Sequence, residues 1–552
     1  MKKALLSALL TGISVAGFAQ NNTSTVTQGG TSQTASIGQA GNNLTSTISQ
    51  SGVSNATNLA IVDQTNQHSV IFTGTNQYQN AIINQNNGSV NNRAGILQRG
   101  SGVSAAQSNT ATVNQNNSGS GTTGLQTGNR TASRAGLGNW AGVEQVGTGN
   151  AATINQNDGA KANFAELWQR GTDNINTSIT QSGGTNNKAE IFQGDDRRLV
   201  DPDVDGTNGV NVSGNSAIID QSNSTDNTAK VKQFSNSNTA TVTQTGTGSQ
   251  GNDAFIRQGK SLDDDGVNDV TGGITNTALI QQTGSNSSGN SASAIQTGSN
   301  GTASIYQTGN VTENVAFIDQ ISGFQNSGTI NQTSFGGATT DNEAYITQHG
   351  DAAGAYHIAV ITQDAATSNF AAIQQGRTGG SSSNNRAFIN QVSGISSSSA
   401  TINQNTTVDG TNNKAQIDQL ASTLNQATMS QQGSSNVAGL IQTGAGNNTA
   451  TITQTGNFNV VGGPGTTTQF NSLPANSFAI QNGSGNTMTV VQDGAGATSG
   501  NFNQAVLSQI GNSNLIDLQQ TITSGGSGNI STINQNGNSN SAVVRQLNGA
   551  TP

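Results

Sequence analysis

Catalysis at neutral pH needs a base, an activated nucleophile or a held cation, and this 552-residue chain offers few groups for any of them. It has three histidines, His68, His349 and His357, and no cysteine. No recurring spacing joins the histidines to carboxylates. They are therefore expected to be solvent-facing polar residues rather than metal ligands or catalytic bases. No serine sits in a G-x-S-x-G elbow with His and Asp behind it. The triplet Gly259-Lys260-Ser261 has the ending of a phosphate loop, but the glycine such a loop needs earlier is Ala254. Asp201, Asp203 and Asp205, followed by Gly206, have the first half of a calcium loop. The closing position holds Val212 where a bidentate glutamate is required, so a solvated acidic excursion is expected there. These residues point away from an enzyme, and no cofactor or metal is expected.

What remains is polar and uncharged. Charged residues make up 9%, aromatic residues 4% and hydrophobic residues 31%, with four prolines in the whole chain. Disordered chains are usually rich in charge and proline, whereas this proline-poor Asn/Gln/Ser/Thr/Gly composition favours β-stacking. A net charge of −9 argues against nucleic acid as a partner. At the N-terminus Lys2 and Lys3 precede an apolar run from Ala4 to Val15, and Gly17 and Ala19 stand at the −3 and −1 positions of a cleavage site. Residues 1–19 are expected to be a secretory signal peptide, since the run is shorter than the ~20 residues that span a bilayer. The mature protein is then exported.

A five-residue unit, A-x-[I/V/L]-x-Q, usually with Asn two places before the Ala, returns about three dozen times from STVTQ (24–28) to AVVRQ (542–546). Its alternation predicts a β-strand with Ala, Ile and Gln on one face and Thr, Asn or Asp on the other. Gly, Asn and Ser between the units suit tight turns. Segments 81–100 and 152–171 match in length and each carry two units, which suggests two strands per structural repeat and about eighteen repeats. The same spacing leaves a three-sided coil open.

One such strand cannot bury its apolar face alone. A buried Ile contributes ~1.5–3 kcal/mol, and ordering each residue costs ~1–2 kcal/mol of backbone entropy. Stability must come from stacking, so the expected fold is an all-β, cross-β solenoid running from residue 20 to residue 552. Its inward ladder is expected to contain Gln145, Asn150, Ala152, Ile154 and Gln156; Asn238, Ala240, Val242 and Gln244; Ala450, Ile452 and Gln454; and Gln535, Asn540, Ala542, Val544 and Gln546. Trp140 and Trp168 are expected to pack at or near the column. Three longer gaps read as excursions from it: two acidic, at 194–215 and 259–276, and one at 460–476 with two of the prolines. The first and last units have the interior pattern, so open end faces are expected.

This pattern resembles the curlin repeat of the subunits of curli, the amyloid fibres of bacterial biofilms, in which a strand ending in Gln is followed by x-G-x-x-N-x-A-x-x-x-Q. Gln145, Gly147, Asn150, Ala152 and Gln156 match it, as do Gln535, Gly537, Asn540, Ala542 and Gln546. Gln233, Asn238, Ala240 and Gln244 match with Ser235 in the glycine position. Asn usually stands here where family strands open with Ser. The resemblance implies a secreted fibre subunit that polymerises head to tail for biofilm matrix, adhesion and colonisation. It also implies a dedicated outer-membrane secretion channel and a nucleating subunit as partners. The alternative is a monomeric surface adhesin or an ice- or glycan-binding solenoid, to which outward pairs such as Thr241–Thr243 and Thr451–Thr453 would contribute.

Overall fold

The computed structural model describes residues 21–548 except 31–32, 52–57, 65–75, 87–91, 101–107, 116–137, 195–211, 260–273, 322, 335–338, 351–355, 378–381, 393–394, 463–477, 496, 499–500 and 524–525. The expected signal peptide and most of the three expected excursions lie outside the described residues.

Every regular element among the described residues is a β-strand, and the strands form two long parallel sheets of 19 strands each. The chain alternates between them. Ala151–Asn157 lies in the first sheet, Phe164–Thr172 in the second and Thr177–Ser182 in the first again. One strand from each sheet makes a rung, and the rungs stack to about 18 levels. At a rise of ~4.7–4.8 Å per rung this is a column of roughly 85 Å.

Register is set by residue type. Ile154 stacks between Val113 and Ile179, and Gln156 lies over Gln181. In the second sheet Ala141, Val143 and Gln145 lie over Ala165, Leu167 and Gln169. A slip of one residue would turn every Ile and Gln outward, so the buried face locks the pairing. The inward alanines and β-branched residues of both sheets merge into one apolar core along the column.

Turns between the sheets put Asn, Asp and Ser at positive φ, as at Asn186 (54°), Asp226 (55°) and Ser435 (59°), a region those side chains tolerate. Gly147, at φ 117°, is required where it stands: a Cβ there would lie 1.9 Å from the Gly171 carbonyl oxygen of the next rung. Turns leading from the first sheet to the second carry a third, rudimentary ladder. It holds single bridges such as Thr185 to Thr225 and two-residue pairs such as Val311–Thr312 on Thr339–Thr340. The coil therefore has two sides and a stub of a third.

Val460–Gly462 pairs within the first sheet, on Val437 and Ala438. The ladder resumes at Ala479, opposite Leu440. The same level is thus filled from two separate stretches of chain, and Ala479 occupies a core position that Ile fills in most rungs.

Candidate functional site

The long polar surface of this protein is on the inside. Gln156 is fully buried, and its amide has no water to bond. Its Oε1 accepts from Gln115 Nε2 at 2.8 Å, and its Nε2 donates to Gln181 Oε1 at 2.8 Å and to the Trp140 carbonyl at 3.0 Å. One donor thus runs up the column and the other crosses it to the second sheet. Gln145 does the same from the opposite wall, with Gln98 at 2.9 Å, Gln169 at 2.7 Å and the Thr110 carbonyl at 3.0 Å.

Both ladders are unbroken and run in one direction. In the first sheet the chain of bonds starts at Gln28 donating to Gln50 and ends at Gln509 donating to Gln535. In the second it starts at Gln39 donating to Gln64 and ends at Gln520 donating to Gln546. Gln244, in the middle, accepts from Gln221 at 2.8 Å and donates to Gln282 at 2.7 Å. Gln454 accepts from Gln431 at 2.8 Å and donates to Gln492 at 2.9 Å. Hydrogen bonds aligned in this way polarise one another.

Asparagines make a second set of ladders at the strand entrances. The Asn150 amide N–H donates to Asn109 Oδ1 at 3.0 Å, and Asn150 Oδ1 accepts from the Asn174 N–H at 3.2 Å. Asn238 is placed likewise between Asn215 and Asn276. The Asn150 Nδ2 donates to the Gly171 carbonyl at 3.0 Å, which ties the turn to the rung above it. Ala152, Ile154, Ala240, Val242, Ala450 and Ile452 are buried between these ladders.

The last described rung differs. Asn540, Ala542, Val544 and Gln546 are half-buried, because nothing among the described residues lies over them. Gln535 and Gln546 use one N–H each, on the Leu515 and Ile530 carbonyls, and extend no ladder bond among the described residues. At the opposite end Val26, an inward residue by register, is 49% exposed. The first rung thus presents acceptor oxygens and the last presents donors.

Two of the expectations about single residues are corrected. His349 and His357 are buried, not solvent-facing, and His68 lies outside the described residues. His357 occupies an asparagine-ladder position, so it takes on the burial of that position. Sequence reasoning also missed how the second sheet's outer face is built. Trp140 stacks on Phe164 at 4.5 Å, Trp168 donates to Glu166 at 2.8 Å, and Glu190 pairs with Lys188 at 2.7 Å and Lys230 at 3.5 Å. The sequence signal for this cluster was present: aromatic and charged residues at outward positions of four consecutive second-sheet strands.

Among the described residues, no group of three or more His, Asp or Glu is arranged to hold a metal ion and no helix is long and apolar enough to cross a membrane. Fold and interior together define a parallel two-sheet β-solenoid held by stacked amides. The sequence model of the curlin associated repeat matches residues 425–456 and 446–494, so the C-terminal region of the chain is similar to that family's repeat. Those matched residues have the same register, glutamine ladder and asparagine ladder as the rungs before them. No curated protein matches the chain.

Proposed function

We propose that this protein is a secreted structural subunit that stacks end to end into an extracellular, curli-like fibre serving biofilm matrix and adhesion, and that it is not an enzyme. The observation that carries this reading is the polarity of the two glutamine ladders. Donors are left at the last rung and acceptors at the first, with half-buried Ala542 and Val544 and exposed Val26 beside them. A second copy placed on the last rung continues both ladders and covers those apolar groups. The contact is heterologous and does not close on itself, so it propagates. Export through a signal peptide at residues 1–19, an outer-membrane channel and a nucleating subunit belong to the same reading. Their support is the N-terminal sequence and the family resemblance. Negative-stain microscopy of purified mature protein after incubation tests it: filaments are expected, and a field of discrete particles roughly 85 Å long overturns it.

One surface favours the other reading, a binding solenoid. Thr401, Thr428, Thr451 and Thr489 stack in register on the outer face of the second sheet, beside Gln426, Thr449 and Thr487. This uncharged grid of hydroxyls and methyls suits ordered water or a flat glycan. Ice-recrystallisation and glycan-pulldown assays on the monomer test it.

A further inference from the structure

Each rung of the column is a step, not a flat plate. Gln156, in the first sheet, donates to the Trp140 carbonyl at 3.0 Å, at the start of the preceding second-sheet strand, and to the Asn163 carbonyl at 3.2 Å, at the entrance to the following one. Gln181 and Gln244 reach backward and forward in the same way. A strand therefore lies at a height between its two neighbours in the facing sheet, as a continuous coil requires. The end faces inherit the step. At the last described rung Ser541–Asn548 stands proud of Ile530–Asn536, and at the first Thr23–Gly29 stands proud of Thr34–Gln39.

A second copy can be seated on this step in two ways that differ by half a turn about the column. Without rotation, proud strands meet recessed ones: Thr23–Gly29 of the added copy lies over Ile530–Asn536, and its Thr34–Gln39 lies over Ser541–Asn548. With a half turn the two proud strands meet, and the recessed strands are held apart with their backbone N–H and C=O groups unpaired.

Side chains at the two faces make the same choice. The inward position that alanine fills in most first-sheet strands is serine at Ser24, Ser46 and Ser531, and in no other described first-sheet strand. Each hydroxyl donates to a glutamine Oε1 of the facing strand: Ser24 to Gln39 at 2.6 Å, Ser46 to Gln64 at 2.8 Å and Ser531 to Gln546 at 2.7 Å. At two of the three, a glutamine of the rung before gives its Nε2 to both partners. Gln39 donates to Ser46 and Gln64, each at 2.9 Å, and Gln520 donates to Ser531 at 3.2 Å and to Gln546 at 2.8 Å. At Ser24 and Gln39 no described residue supplies that donor. Gln28 makes its ladder bond to Gln50, but no described strand precedes it for a bond across the column.

We propose that copies join without rotation, so that one coil passes from chain to chain in a single register. Gln546 supplies the donor to Ser24 and Gln39, Gln535 donates to Gln28, and Gln28 reaches back to the Ser541 carbonyl of the copy before. Ser531 of one copy then precedes Ser24 and Ser46 of the next in consecutive rungs, a serine seam that marks the joint. Ile533 meets Val26, Ala542 meets Ala35 and Val544 meets Ile37. This rests on the end-to-end reading above and adds to it the rotation and the register.

Because the chain has no cysteine, introduced pairs on the exposed outer faces report the joint. Thr25 comes over Thr532 without rotation, and Ser36 comes over Thr532 with a half turn. Stacked residues lie ~4.8 Å apart, within the ~4.4–6.8 Å that a disulfide spans between Cα atoms. The variants Thr25→Cys/Thr532→Cys and Ser36→Cys/Thr532→Cys are polymerised under reducing conditions, imaged, oxidised and run on non-reducing gels. Thr25→Cys/Thr47→Cys, stacked within one chain, calibrates the oxidation by loss of free thiol. Filaments from both joint variants are expected, with linked multimers at least tenfold more abundant in the first. Equal or greater linkage in the second, or filaments with no linkage in either, overturns the phase and leaves end-to-end stacking standing. Discrete particles from both variants and from wild type overturn the stacking and the phase together.

Discussion

Gln156 donates to Gln181 across 2.8 Å, and at every level above and below a glutamine repeats that bond in the same direction. The column therefore has a donor end and an acceptor end, as a helix has a dipole. The relationship also explains why glutamine, and no shorter amide, closes each strand. Its side chain reaches both the next rung and the carbonyl of the facing strand.

Replacing Gln145 and Gln156 together with Leu conserves volume and removes two ladder units. Each change strands a carboxamide oxygen on the next rung, at Gln169 and Gln181, and removes the side-chain donor to a backbone carbonyl across the core. The pair should cost about 2–6 kcal/mol. A lower thermal midpoint and a longer lag in dye-monitored polymerisation are expected. Replacing outward Thr153 and Asn155 with Ala should change both much less, and equal effects would count against the ladder.

The growing end should be blocked by one proline. Inward N–H groups point to the earlier rung, as at Gln115 on the Asn84 carbonyl, and outward ones to the later rung, as at Leu515 on the Asn540 carbonyl. In the last strand, Ser541–Asn548, outward Val543 therefore aims its N–H at the open face, whereas Val544 aims inward to the column. Val543→Pro removes a donor from the growing edge and leaves internal bonds intact. Substoichiometric variant should shorten seeded wild-type fibres. Val544→Pro should instead unfold the last strand.

Acid should weaken the column at His357. Burial pushes its pKa down to about 4 from 6.5, with the neighbouring His349 charge acting the same way. Among the described residues of the neighbouring turn, Arg377 is paired with Asp409 at 3.1 Å. Because the folded state resists protonation, stability is full above pH 6.5 and falls as pH drops toward 4. The loss is about 3 kcal/mol over that window. Asp319 opposes it: burial raises its pKa to about 6, so its ionisation costs stability as pH rises from 3.8. Denaturant midpoints should fall between pH 6.5 and 4 less steeply in His357→Asn and more steeply in Asp319→Asn than in wild type.

Gly147→Ala should be among the most costly small substitutions. Its φ of 117° strains any Cβ, and the Gly171 carbonyl of the next rung sits 1.9 Å from that atom. A loss of about 2 kcal/mol or more is expected. The measurement is the thermal midpoint, with Gly159→Ala, where a Cβ meets nothing within 4 Å, as the comparison that separates backbone strain from contact.

Strand period, inward face and two-strand rungs were all legible in the sequence, because each follows from a local rule. Alternation of two fixes which side chains share a face, and one Gln per strand places an amide at every level. What the sequence could not rank was the relation between copies of the motif. The phrase at 145–156 crosses from the second sheet to the first, and the same phrase at 535–546 crosses from the first to the second. Only stacking distinguishes them, since each strand is chosen by the strand below it. The same holds for His357. Its type reads as a polar surface residue, yet its backbone sits at an asparagine position, and the turns above and below bury whatever side chain stands there. Burial in a solenoid belongs to the position in the rung, and that position is set by pairing with residues some 25 places away in the chain.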